Sequence, residues 1–317
     1  MIDLSILIVN WNTRDLLAQC LQSLQDTAHR AQEDPHKGYA LPYGSYRAEI
    51  VVVDNASDDN STSIVRERFP WAQLIENARN VGFAPANNQA FQHSTGRYVL
   101  LLNSDTIVHA KTIEILIAFM DAYPRCGAGG ALLLNADGSL QPSCQPMLTP
   151  WREFWRLTFL DRVWRRATYD MLGWNRSTPR PVETIKGACL IVRRAALDPI
   201  EPLLDERYFM YTEEVDLCYR LEQAGWKLYW IPTAQITHFG EASSRQAYNA
   251  MYVQLYRSKV QFYRKFGGER RAHLFKRLVA MAYYPRFIAA RVAAFIRPAS
   301  AARTNTVRQL LSELPKM

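Results

Sequence analysis

Three short runs in this chain set amides and carboxylates where a strand should end. "LSILIVNWN" (4–12) closes on Asn10 and Asn12, "AEIVVVDNASDDNS" (48–61) on Asp54 and Asn55, and "YVLLLNSDTIV" (98–108) on Asn103, Ser104 and Asp105. Such groups do not stay in a dry core without partners, so each marks a strand mouth open to solvent or ligand. An aspartate there can accept hydrogen bonds from a ribose or a base, while the following helix offers free N–H groups. It can also hold a divalent cation against a diphosphate. Asx turns and helix caps account for the same residues about as well, and Asp105 alone is a thin metal site.

Two further segments supply partners. In "ARNVGFAPANNQAF" (78–91), Gly82 frees the backbone for close approach. Asn80, Asn87 and Asn88 are poor helix formers, the last two set where a helix should already be running, which suggests a hydrogen-bonding role. A turn glycine and solvated asparagines explain the segment too. "DERYFMYTEEVDLCYRLEQAGWKLYWIPTAQITHFGEAS" (205–243) packs Glu213, Glu214 and Asp216 behind an aromatic run and sets His238 after a strand-like "KLYWIP". Thr212 could cap a helix whose first turn favours acids, and Asp216 could pair with Arg220. His238 is a surface histidine or a borderline ligand of the kind magnesium and manganese sites accept.

The elements that must carry these residues alternate. Strand-like runs at 4–12, 48–57, 71–78 and 98–105 are separated by helix-like "TRDLLAQCLQSLQD" (13–26) and "STSIVRERF" (61–69), the latter opened by Ser61 as N-cap. This is an α/β pattern with a parallel sheet, and ligands bind such sheets beyond the carboxyl ends of the strands. Residues 28–47, with Pro35, Gly38, Pro42 and Gly44, read as a surface loop. No Gly-X-Gly-X-X-Gly follows the first strand, which disfavours a dinucleotide fold.

Taken in order from Leu4 to Ser243, "VVVDNASDDNS", "RNVGFAPANNQAF", "LLNSDT", "GACLIVRRAAL", "YFMYTEEVDLCYRLEQAGW" and "THFG" resemble the family 2 nucleotide-sugar glycosyltransferases, especially their rhamnosyltransferase-like branch. The resemblance implies a GT-A fold, Rossmann-like with a mostly parallel sheet flanked by helices, and displacement at the anomeric carbon with inversion. Asp54 then matches the nucleoside-binding aspartate, Asp105 the last acid of the Asp-X-Asp metal motif, His238 a metal or diphosphate ligand and Glu214 the catalytic base. Asn10, Asn12, Asn55, Asn80, Gly82, Asn87, Asn88, Asn103 and Ser104 join Asp54 on the donor side; Gly187, Ala188, Glu213 and Asp216 fall on the acceptor side. The implied cofactor is Mg2+ or Mn2+, the donor dTDP-rhamnose by preference, the acceptor a glycan or polyprenyl-linked glycan. Two departures stand out: the metal motif opens on Asn103 rather than an acid, and Glu214 stands where Asp is usual.

Composition is compatible with a single large catalytic domain over 1–245, with a donor half to about 108 and an acceptor half beyond it, followed by a basic helical region at 246–317. The chain has 317 residues, 48% hydrophobic, with five scattered cysteines and no Cys-X-X-Cys, which argues against a disulfide framework or zinc site. No positive leader and apolar core precede the first strand, so a cytoplasmic location is expected. Charge is lopsided: residues 257–317 hold fourteen Lys/Arg and two acids, although the whole chain is only +8. "WREFWRLTFLDRVWRRATYDMLGW" (151–174) and residues 269–299 interleave aromatics with arginine, the second broken by Pro285, Arg286 and Arg291. Both fit helices lying on an anionic membrane surface, here the inner face of the cell membrane, or an apolar face packed on the catalytic domain. No nucleic-acid module accompanies the charge, so nucleic acid is not an expected partner. The rival readings are a sugar nucleotidyltransferase, which should carry a Gly-rich loop that "VNWNTRD" lacks, and a catalytically silent binding protein.

Overall fold

The computed structural model describes residues 1–28, 40–163, 167–240, 248–296 and 301–317. The first part runs β1 (Leu4–Asn10), α1 (Arg14–Thr27), β2 (Ala40–Tyr43), β3 (Tyr46–Asp54), α2 (Ser61–Arg68), β4 (Gln73–Glu76), α3 (Phe83–Gln92), β5 (Tyr98–Leu102) and β6 (Thr106–Val108). There follow α4 (Thr112–Ala122), β7 (Cys126–Leu134), β8 (Leu140–Gln141), β9 (Cys144–Gln145), α5 (Pro150–Leu157), β10 (Arg180–Pro181), β11 (Thr184–Ile185) and β12 (Cys189–Arg193). The chain closes with α6 (Glu213–Gln223), β13 (Lys227–His238), α7 (Tyr248–Ile296) and α8 (Ala301–Glu313).

The main sheet has the order β10-β13-β7-β12-β5-β1-β3-β2, with β4 on β3, β6 on β13 and β8 on β7. Neighbours β5, β1, β3 and β4 are parallel. Beyond β5, β12 runs antiparallel to both β5 and β7, so the sheet as a whole is mixed rather than mostly parallel. That reversal positions the site. Because β12 enters beside Leu102, where β5 leaves, residues 187 and 188 arrive at the strand mouth that carries 103–105. The end of β13 comes to the same place, since His238 is paired with Thr106 on β6.

Side chains alternate across the sheet with the period of two that strands impose. Val99 and Leu101 of β5 face one core, while Tyr98, Leu100 and Leu102 face the other. The second core is closed by Leu17, Leu21 and Leu24 of α1 and Ile113, Leu116 and Ile117 of α4. The first is closed by α3, by Leu217 and Leu221 of α6, and by Tyr256, Val260, Phe275 and Val279 of α7 with Leu310 of α8. The basic C-terminal helices thus share one core with the sheet, α3 and α6. α7 is two helices joined at Gly268, whose φ of 69° and ψ of 179° lie outside the helical range, and Tyr256 and Tyr263 of the first limb stack on Phe275 of the second.

Several local expectations are corrected. Ala40–Tyr43, expected within a loop, forms β2, antiparallel to β3; residues 29–39 of that stretch lie outside the described residues, as does the expected boundary at 245–246. Ser61 is the first residue of α2 rather than its cap: Asn60 takes the N-cap position, and the Asp59 carboxylate accepts from the Ser61 amide at 3.0 Å. Thr212 stands at the N-cap of α6, but its side chain makes no capping bond. All five cysteines are free and buried.

Candidate active site

A cleft of about 390 Å³ opens beyond the strand mouths, lined by Trp11, Asn55, Asn80, Gly82 and 103–105 on one side and by Lys186, Gly187, Ala188, Tyr211, Glu213, Glu214 and His238 on the other. Of the expected donor residues, Asn55, Asn80, Gly82, Asn103 and Ser104 reach it. Asn55 is held by its own framework: its amide donates to the Gly82 carbonyl at 3.1 Å and its oxygen accepts from Asn77 at 2.9 Å. Gly82 has φ of 95°, and a Cβ there would stand 2.7 Å from the Phe209 ring and carbonyl. Only glycine lets the 80–83 loop close on the 209–211 segment, where Phe83 N–H donates to the Phe209 carbonyl at 2.7 Å.

Five expected donor residues do not line this cleft. Asp54 spends its oxygens on the Asn10 amide at 2.9 Å, the Ser57 hydroxyl at 2.7 Å and the Ser57 amide at 2.8 Å, so Asn10 and Asp54 shape the loop after β3. Asn12 lies in a shallow hollow with Thr13, Arg14 and Asp59. Asn87 donates to the Phe83 carbonyl, and Asn88 brackets Leu204, donating to its carbonyl at 2.7 Å and accepting from its amide at 3.0 Å. Both do the hydrogen bonding their presence in a helix implied, with backbone as the partner. Asp216, expected on the acceptor side, is also absent from the cleft. It is fully buried, and accepts from Arg220 at 2.6 Å, Lys265 of α7 at 2.6 Å and Tyr208 at 3.2 Å.

The acids that do face the cleft come off a strained turn. Tyr211 and Thr212 both adopt left-handed φ, 68° and 73°, a conformation L-residues rarely hold, and this pair swings the chain from the cleft wall into α6. Glu213 and Glu214 follow at once, in the first turn, where the helix dipole favours negative charge. Gly187 leaves room for Glu214, whose Cβ and Cγ lie 3.7 and 4.0 Å from where a side chain at 187 would begin. One oxygen of each glutamate, Oε2, is buried with no hydrogen-bond partner among the described residues. Burial pushes the Glu213 carboxyl well above the ordinary range, and the neighbouring Glu214 charge adds to it. Burial also raises Glu214, opposed by the cationic Lys186. Burial thus raises both carboxyls, Glu213 the further of the two.

Asp105 and His238 meet across the cleft floor, Oδ1 to Nε2 at 3.3 Å. Gln141 decides what that contact is. Its amide nitrogen donates to Asn135 Oδ1 at 2.9 Å and to the His238 carbonyl at 3.1 Å, which leaves Oε1 to accept from His238 Nδ1–H at 2.6 Å. Asn103 Nδ2 donates to Nε2 at 3.2 Å. The network fixes the ring and sets Nε2 beside a carboxylate oxygen. An imidazole nitrogen and a carboxylate oxygen side by side are a donor set that fits a divalent metal. Among the described residues no group of three or more His, Cys, Asp or Glu could hold one, so a metal here would have few protein ligands.

Gln141, Trp11, Lys186 and Met251 escaped the sequence reading. Lys186 directly precedes the Gly187-Ala188 pair and could have been found from its place; nothing near Gln141 marks it.

Residues 5–183 match the profile of Glycosyl transferase family 2. The N-acetylglucosaminyl-diphospho-decaprenol L-rhamnosyltransferase of Mycobacterium tuberculosis is 30% identical over 208 residues, 60% of this chain. The chain spans 66% of that relative's length, just under two thirds. Among solved structures, the mannosyltransferase PcManGT from Pyrobaculum calidifontis, in complex with GDP-Man and Mn2+, is 17% identical with a TM-score of 0.54, over 99% of this chain and 86% of that one. S. aureus TarS 1–349 is 14% identical with a TM-score of 0.52, over 99% and 92%. These likenesses give the GT-A fold. With more than half its length inside the family profile, and similar within the family to a rhamnosyltransferase, the chain belongs to glycosyl transferase family 2.

Proposed function

We propose that this chain transfers a sugar from a nucleotide-sugar, dTDP-rhamnose by preference, to a lipid-linked glycan acceptor at the cytoplasmic face of the membrane, inverting the anomeric centre in the synthesis of a cell-surface polysaccharide. The observation that carries the reading is the meeting, in one cleft, of a cation-seeking pair (Asp105, His238) and an ionisable carboxylate raised above its ordinary range (Glu214). The mycobacterial relative's name specifies a diphospho-decaprenol acceptor, and PcManGT was solved with a nucleotide-sugar and Mn2+, which supports both substrate classes.

In this mechanism Glu214 accepts the proton of the acceptor hydroxyl, whose pKa lies far above neutrality, as the oxygen forms its bond to the anomeric carbon and the bond to the diphosphate breaks. Asn55, Asn80 and the 103–104 backbone line the donor side; Lys186, Gly187 and Tyr211 line the acceptor side. Asp105 and His238 would hold a divalent cation, which would supply charge neutralisation to the departing diphosphate.

The test is transfer by purified protein from a panel of nucleotide-sugars to a short-chain N-acetylglucosaminyl-diphospho-lipid, with the product anomer read by NMR. Glu214→Gln should lose about 10² to 10⁴ in rate while still binding nucleotide, and Asp105→Ala should lose Mn2+-dependent nucleotide binding in calorimetry. A retained anomer removes the base role from Glu214. Full activity in excess chelator removes the cation, and no turnover of any donor leaves a binding protein.

A further inference from the structure

We infer that the exposed face of the second limb of α7 is a lipid-docking platform for an anionic bilayer; the inference rests on the membrane location proposed above. Arg277, Met281, Tyr284, Ile288 and Arg291 recur at helical spacing within about 80° of one another around the axis. All five are exposed, Met281, Tyr284 and Ile288 by 62%, 54% and 60%. The core-facing side of the same limb is already occupied: Phe275, Val279, Ala282 and Tyr283 are buried in the core, so the exposed apolar side chains are in excess of what the fold uses.

The turn after α5 packs on the other side of the limb, about 180° around the axis from this face. Phe159, in a left-handed conformation with φ of 60°, sits between two guanidinium groups, Arg162 and Arg286 each 4.4 Å from its ring, and Arg286 also donates to the Leu157 carbonyl. Trp151 and Val163 stand out on the same segment, 62% and 91% exposed.

Charge selects the occupant. No acid lies between Glu269 and Glu313, so the platform is cationic along its whole length. A second copy of the chain docking by its own identical face would bring arginines against arginines, whereas anionic headgroups take the arginines and admit Met281, Tyr284 and Ile288 to the acyl boundary. No helix among the described residues is long and apolar enough to cross a membrane, so the contact is interfacial. Its place serves the cleft. Tyr283 hydroxyl is bonded to Tyr252 and, at 2.7 Å, to Tyr256, and Met251, next to Tyr252, lines the cleft wall. The limb that bears the platform is therefore joined, through Tyr283, to the helix that lines the cleft.

The experiment measures full-length protein on vesicles of phosphatidylcholine alone and with 30% phosphatidylglycerol, about that fraction being enough to set up a negative surface potential. Wild type should sediment with the anionic vesicles. Tyr284→Glu with Ile288→Glu, and separately Arg277→Glu with Arg291→Glu, should each weaken that binding by at least about tenfold, with unchanged thermal unfolding and unchanged transfer to a water-soluble acceptor. Wild-type binding by both double variants overturns the platform and leaves the transferase reading standing. A wild-type dimer that the variants dissolve, with no vesicle binding, overturns it too and makes the face a subunit interface. Loss of transfer to every acceptor while vesicle binding persists would instead sink the transferase reading alone.

Discussion

Glu213 and Glu214 are neighbours in sequence with different work, and pH separates them. Below the ordinary glutamate range, near 4.5, Glu213 is protonated in folded and unfolded chains alike and costs nothing. As pH rises, the unfolded chain ionises while buried Glu213 still holds its proton, so stability falls until pH passes its raised pKa, by at most about 1.4 kcal/mol per pH unit. Glu213→Gln removes that loss, and its melting temperature should overtake wild type increasingly from pH 5 to pH 8 while transfer persists; a constant difference across that range would mean Glu213 ionises normally. Gln141 is tested through His238. Gln141→Leu removes the acceptor that holds Nδ1–H, so the Nε2–H tautomer should grow in long-range 1H–15N spectra and Mn2+ affinity should drop about tenfold. An unchanged tautomer would return the choice to Asn103. At this scale the sequence was a fair guide to chemistry and a poor one to address. Asn88 and Asn55 are both amides with backbone partners, but one bonds Leu204 away from the cleft and the other bonds Gly82 at the cleft wall, and sequence alone does not tell the two addresses apart. Gln141 lies far from His238 along the chain, so no local pattern could reveal it.

Among the elements, the parallel units β1, β3 and β5 were legible because each is a short apolar run with a polar end and a helix after it. The antiparallel entry of β12 was not, because strand direction leaves no mark on composition, and it is β12 that brings Gly187 and Ala188 to the site. The C-terminal region looked separable for the same reason: its arginines are visible in sequence, whereas the partners of Phe275, Val279 and Tyr283 are not. A chain ended after Phe266 loses those side chains and Leu310 from the core, each contributing about 2 kcal/mol, against a net stability of about 5–15 kcal/mol. It should show no cooperative unfolding transition by circular dichroism, and a truncated protein that melts like the parent would make the tail an independent anchor. The coupling reaches the site itself, since Lys265 of α7 donates to Asp216 at 2.6 Å on α6, the helix that carries Glu214, and to Asp205 at 2.7 Å.

For the whole molecule the charge is polarised, a tail with fourteen Lys/Arg on a remainder that is net negative. Attraction to an anionic surface should then depend on salt: with the screening length falling from about 10 Å at 0.1 M to about 3 Å at 1 M, vesicle affinity should drop by roughly tenfold or more over that range without vanishing, because Met281, Tyr284 and Ile288 insert regardless of screening. Complete loss in high salt would reduce the contact to charge alone. The seam between β5 and β12 carries a different consequence, one of time. Residues 1–102 hold a self-contained parallel unit, β4-β3-β1-β5, whereas the strand that completes the cleft pairs with β5 from about ninety residues further on. Closing so long a loop is slow compared with forming the local units, so β5 should stand as a bare edge when the first part of the chain forms, and the cleft is incomplete until β12 covers it. Refolding followed by nucleotide fluorescence and by turnover should therefore give two rates, the second set by that one pairing.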